Sequence, residues 1–245
     1  GDWEVVASGH LAARRALGGG RSETTFALDR PTPPFLFAFA AGRFAVAEKS
    51  VSGVALRALA PKQEDAEAAL EVTAPMLRFF LARTGAPPPE PVYTQVFVQG
   101  EAAQEAAGFA LLGASSIDDL RKDPSEDWIF SHELAHQWFG VLVPCADFAD
   151  FWLNEGFASF LVAAYKEERW GRAAYERERS LWRKRSLKVT ADGRDAPVAL
   201  SVPGAKPVLG PLESQLPPRG VTYARGALVL DKLRGELGED TFWAG

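Results

Sequence analysis

The chain has 245 residues, 47% of them hydrophobic, and a formal net charge of −5. That allows one large domain or two modest ones with a sizeable core, and it offers no basic surface of the kind nucleic-acid binding needs. No apolar run approaches the ~20 residues of a membrane helix, and the single cysteine, Cys145, excludes an internal disulfide and reads as a buried thiol.

Short apolar or alternating runs predict strands at Trp3 to Ala7, Thr24 to Leu28, Phe35 to Ala41, Phe44 to Glu48 and Val51 to Leu59. Turn formers separate them: Gly18-Gly19-Gly20, Pro31-Thr32-Pro33-Pro34, Gly42 and Gly53. The period then changes. Lys62 to Arg83 carries apolar residues at helical spacing (Ala66, Ala69, Leu70, Met76, Leu77, Phe80), and Gly85 with Pro87-Pro88-Pro89 ends that helix. Pro91 to Gln99 reads as another strand. For the next helix, Asp123 is the expected cap, Pro124 the first helical position, Glu126 the partner in a capping box, and Gly140 the stop. A further helix is expected from about Leu153 to Trp170, ending at Gly171. Charged residues dominate through Lys188, residues 191–220 are rich in Pro and Gly and read as a long loop, and a last helix is expected from about Val221 to Leu237.

The chemistry sits in the capped helix. His132 and His136 are four residues apart, about 400° of helical rotation, so both imidazoles project from one face. Two nitrogens then come within reach of one ion at roughly 2.0–2.1 Å each. Glu133 points slightly aside, where a carboxylate can touch water at the metal without ligating it. By composition alone, such a His-Glu-x-x-His pattern would occur here with a chance on the order of a few in a thousand. A catalytic zinc takes three protein ligands and keeps one position open. Glu155, with 18 residues between it and His136 and near the start of the next helix, is the expected third ligand. Trp128, Ile129, Phe130, Leu134, Trp138 and Phe139 are expected in the core, and the remaining histidine, His10, at the surface.

The segments Ser131-His132-Glu133-Leu134-Ala135-His136-Gln137-Trp138-Phe139-Gly140 and Trp152-Leu153-Asn154-Glu155-Gly156-Phe157-Ala158 resemble the aminopeptidase-N type of zinc metallopeptidases, a family that also contains leukotriene hydrolase. Tyr223-Ala224-Arg225-Gly226-Ala227-Leu228, 68 positions past Glu155, resembles the family segment that carries the catalytic tyrosine. The resemblance implies an α+β fold. Residues 1–59 would be the tail of an N-terminal β domain, carried by Asp2-Trp3-Glu4-Val5-Val6 and Pro34-Phe35-Leu36-Phe37-Ala38-Phe39-Ala40-Ala41-Gly42. Residues 60–245 would be a thermolysin-like catalytic domain. Most of the family's N-terminal domain and its C-terminal helical domain would lie outside this sequence.

The implied chemistry is zinc on His132, His136 and Glu155, Glu133 as general base, and the Tyr223 hydroxyl as donor to the oxyanion, acting on peptide substrates. Ser159 and Asp150 are candidates to orient the imidazoles. In the family, the glutamate of a Gly-x-Met-Glu-Asn segment binds the substrate's α-amine. The corresponding stretch, Ala107 to Gly113, puts Ala110 at that place, with Glu101 and Glu105 nearby as substitutes. Three alternatives to an aminopeptidase therefore stay open: a zinc peptidase of relaxed or endopeptidase specificity, an epoxide hydrolase, and an inactive metal-binding fragment. The sequence leaves the compartment open.

Overall fold

The computed structural model describes residues 3–101, 103–199 and 217–245. It divides into two compact units, Gly1–Leu142 and Val143–Gly245. No helix of the described residues is long and apolar enough to cross a membrane. Most of the loop expected over residues 191–220 lies outside the described residues.

The first unit opens with β1 (Glu4–Ala7), β2 (His10–Gly18) and β3 (Arg21–Ala27), and β1 pairs antiparallel with β4 (Phe39–Gly42). β2 and β3 form a hairpin that turns through Gly18, Gly19 and Gly20, all at positive φ. Phe35 to Ala41 departs from the expected strand: Pro34–Leu36 is a 3-10 turn, and extended pairing begins only at Phe39. Pro33 and Pro34 bring fixed φ and no donors. The turn is held by Ser8, whose hydroxyl donates to the Leu36 carbonyl at 2.7 Å and accepts from the Ala38 N–H at 2.9 Å. β2 is missing from the expectations because nearly all of it is exposed and carries no apolar alternation.

Next come β5 (Ala45–Val51), β6 (Val54–Ala60), α1 (Gln63–Thr84), β7 (Val92–Val98), β8 (Ala103–Ala106) and β9 (Phe109–Gly113). The five strands form one mixed sheet in the order β5-β6-β7-β9-β8, with β8 at its edge. β6, β7 and β9 run parallel, and α1 makes the crossover from β6 to β7. Gly85 ends α1 in the left-handed conformation, as its position predicts. α1 buries Ala66, Ala69, Leu70, Met76, Leu77 and Phe80, the stripe expected from its spacing.

The unit closes with α2 (Ser115–Lys122) and α3 (Trp128–Ala135). The expected capping box does not form. Asp123 ends α2, and its carboxylate accepts from the N–H and hydroxyl of Ser125, which makes a local turn instead of a cap. α3 therefore starts four residues late, after Asp127. Tightened turns follow its last residue, and Gly140 at φ +133 ends the run.

The second unit is helical: α4 (Trp152–Trp170), α5 (Arg172–Ala191), a π-helical turn (Gly220–Arg225), α6 (Gly226–Leu237) and α7 (Glu239–Ala244). α4 ends at Gly171 as expected. The charged stretch that the sequence left unassigned is α5. It buries Tyr175, Trp182 and Val189, spaced by seven, and its Tyr175 hydroxyl and Arg179 both bind Asp231 of α6. The last helix opens with the π turn, so its regular part begins at Gly226.

Candidate active site

In the first unit, α3 carries His132 and Glu133, and His136 follows directly after it with helical φ/ψ of −60° and −21°. The His136 N–H still donates to the His132 carbonyl at 3.3 Å, so the two rings remain on one face. Their Nε2 atoms are 3.3 Å apart, and the ring planes are nearly perpendicular. Two nitrogens bonded to one ion at about 2.0–2.1 Å in tetrahedral geometry stand ~3.3 Å apart, so the pair fits zinc.

The protonation pattern fits as well. His136 Nδ1 lies 3.0 Å from the Phe139 carbonyl, which can only accept. That puts the proton on Nδ1 and leaves the Nε2 lone pair for a metal. Both rings are buried, His136 to 1% exposure. Phe130, Leu134 and Trp138 are core residues as expected, but Trp128 is 46% exposed and stands edge-on to the His132 ring.

Glu105, Glu133 and His136 form a buried group whose ligand atoms all lie within 4.8 Å of one another. Glu105 is the residue that sequence reasoning undervalued. β8 and β9 form a hairpin about Ala107-Gly108, with Gly108 at φ +81, and its register sets Glu105 directly opposite Ala110. A buried carboxylate thus stands across the hairpin from Ala110. The signal for it was a glycine turn between two short alternating runs. Gln137 fastens this hairpin to the helix end: its amide accepts from the Gly108 N–H and donates to the Ala106 carbonyl, both at 3.0 Å. Glu101, the other nearby acid, is exposed.

Tyr93 on β7 is fully buried, and burial followed by the charge of Glu133 pushes its phenol well above the usual value. His10 is half-buried, not freely exposed. Its Nδ1 lies 3.4 Å from Glu90, whose carboxyl burial raises.

In the second unit, Glu155 sits buried in the first turn of α4. The loop before it is held by the buried Asn154, whose carbonyl accepts from the Cys145 N–H at 3.1 Å. Cys145 is half-buried, and burial pushes its thiol up to about 11, far from a reactive thiolate. Tyr223 lies half-buried in the π turn, with the Arg219 guanidinium 5.7 Å above its ring. Asp150 and Ser159, also in this unit, are half-buried. The orienting contact seen for His136 is the Phe139 carbonyl.

Residues 69–245 match the peptidase family M1 domain. Aminopeptidase N of Homo sapiens is 33% identical over 227 residues, which covers 86% of this chain and 23% of the relative. Aminopeptidase N of Streptomyces lividans is 29% identical over 206 residues, 79% of this chain and 23% of the relative. Among solved structures, an M1 zinc metallopeptidase from Deinococcus radiodurans matches 99% of this chain and 52% of its own with a TM-score of 0.73 at 24% identity. The chain therefore spans about a quarter of the length of these curated relatives.

Proposed function

Because the chain belongs to peptidase family M1, we propose that it is a zinc-dependent aminopeptidase that removes residues from the free amino end of peptides. His132, His136 and Glu155 hold the zinc in this reading. The spacing of the histidine nitrogens and the contact of His136 Nδ1 with the Phe139 carbonyl, which turns Nε2 towards His132, support the first two. The 18-residue interval and the burial of Glu155 support the third. When bound, zinc supplies Lewis acidity, which polarises a carbonyl and acidifies water. Glu133 takes the proton from the attacking water and hands it to the leaving amine. Tyr223 donates a hydrogen bond to the developing oxyanion.

One observation carries the amino-terminal preference: Glu105 adds a second buried carboxylate beside Glu133 and His136. Hydrolysis itself needs one general base. A further acid nearby gives a substrate ammonium a charge-assisted partner. On the same reading, β1 and β4 belong to the tail of an N-terminal β domain and a thermolysin-like catalytic domain follows. The sheet runs back to β5, so a division after residue 59 falls inside β6.

The test compares a short peptide with its N-acetylated twin. The free-amine peptide is expected to be cleaved in a chelator-sensitive way and the acetylated one not. Glu105→Gln should raise KM for the free-amine peptide by about 10–100-fold, since a hydrogen bond to a charged group contributes ~1.5–3 kcal/mol. Equal cleavage of both peptides by the parent chain would instead assign a relaxed or endopeptidase specificity.

A further inference from the structure

Gly156 follows Glu155 directly in α4, and Gly226 lies three residues after Tyr223, where the π turn passes into α6. Neither glycine is there for its backbone freedom. Gly226 has φ −55° and ψ −49°, and Gly156 is an interior helical residue without positive φ. Glycine in such places costs stability relative to alanine, so another cause is needed, and the contact between the two supplies it.

A Cβ on Gly156 would stand 3.0 Å from both the Cα and the carbonyl carbon of Gly226. A Cβ on Gly226 would stand 3.0 Å from the Gly156 Cα, 3.3 Å from the Trp152 ring and 3.4 Å from the Trp152 carbonyl oxygen. Ordinary carbon contacts are about 3.5–4.0 Å. The obstructing atoms are backbone on both sides, so a methyl is accommodated only if the helices part by roughly half an ångström or more.

The π turn cannot easily give way in the other direction. Its first residue, Gly220, is pressed against α5: a Cβ there would meet the Val189 side chain at 2.3 Å and the Arg185 carbonyl at 2.8 Å. Its last residue, Arg225, donates to the Ser186 hydroxyl and the Ala196 carbonyl and pairs with Asp195. Val221, Thr222 and Ala224 are buried, which leaves Tyr223 and Arg225 as its partly exposed residues apart from Gly220.

We propose that the Gly156–Gly226 contact is a positioning device. It sets the place of the Tyr223 hydroxyl relative to the α4 turn that carries Glu155, so both glycines act on the reaction through Tyr223. The proposal rests on the reading of Tyr223 as the oxyanion donor. A displacement of about 1 Å in such a group costs on the order of 10²-fold in rate.

The experiment measures kcat, KM, zinc content and thermal midpoint for Gly226→Ala, Gly156→Ala and a control, Gly235→Ala, in the parent chain and in a Tyr223→Phe background. Gly235 lies on the same helix with nothing within 4 Å of a Cβ. Gly226→Ala and Gly156→Ala should each lower kcat by about 10–100-fold with stoichiometric zinc and KM within about twofold, and the control should leave kcat unchanged. Tyr223→Phe should cost about 10²–10³ by itself, and adding Gly226→Ala to it should cost less than about twofold more.

The same loss from Gly226→Ala in both backgrounds would overturn the proposal while leaving the role of Tyr223 intact. An unchanged kcat in Tyr223→Phe would instead remove the donor reading itself. If neither glycine variant folds while Gly235→Ala does, the contact serves stability alone and the proposal fails.

Discussion

Replacing Glu133 by Gln is expected to leave zinc bound and to lower kcat by about 10²–10⁴-fold, the range general acid–base catalysis contributes. Gln fills the same volume at this buried position, which is 3% exposed, but its amide cannot take up a proton. His136 is oriented by the Phe139 carbonyl, and both rings project from α3 and its immediate continuation. Folding should be preserved, since the substitution conserves volume. Turnover at the parent rate in Glu133→Gln, with zinc present, would take the base role away from Glu133.

His136→Ala should have the larger effect: loss of zinc and of all metal-dependent turnover. The substitution removes one of two nitrogens held 3.3 Å apart. Even second-layer partners of a ligand are worth about 10–100-fold in metal affinity, and a direct ligand is worth more. His136 is also 1% exposed, so its removal opens a cavity, and circular dichroism is needed to separate metal loss from unfolding. A folded variant that keeps one zinc per chain would contradict the ligand assignment.

Much of this was legible in the sequence because the chemistry is local. An interval of four residues puts the two imidazoles on one helix face wherever that helix starts, so the misjudged capping box at Asp123 leaves their pairing unchanged. Gly85 and Gly171 announced two helix ends through their own backbone needs. α1 showed itself by its apolar period.

The elements that stayed hidden lacked such a local signature. α5 buries a narrow stripe, Ala174, Tyr175, Trp182 and Val189, amid exposed charge, so composition masked its period. β2 is almost wholly exposed. The strand expected at Phe35 was pre-empted by two prolines and by the Ser8 hydroxyl 28 residues away in sequence from Leu36. Glu105 was named from the sequence only as one of two acids near Ala110. Its place depends on which residue lies across a hairpin, and the register is set by Gly108 and by the Gln137 amide 29 residues later. The sequence offered Glu101 and Glu105 alike as substitutes near Ala110, and only the pairing across the hairpin separates the buried Glu105 from the exposed Glu101.

The most direct test of a zinc peptidase built on His132, His136 and Glu155 is metal content measured together with turnover of a free-amine peptide, before chelation, after it, and after zinc is added back. The account predicts one zinc per chain, no turnover once the metal is stripped, and recovery in proportion to the zinc restored. Full turnover by metal-free protein, or stoichiometric zinc with no cleavage of any peptide, would contradict it.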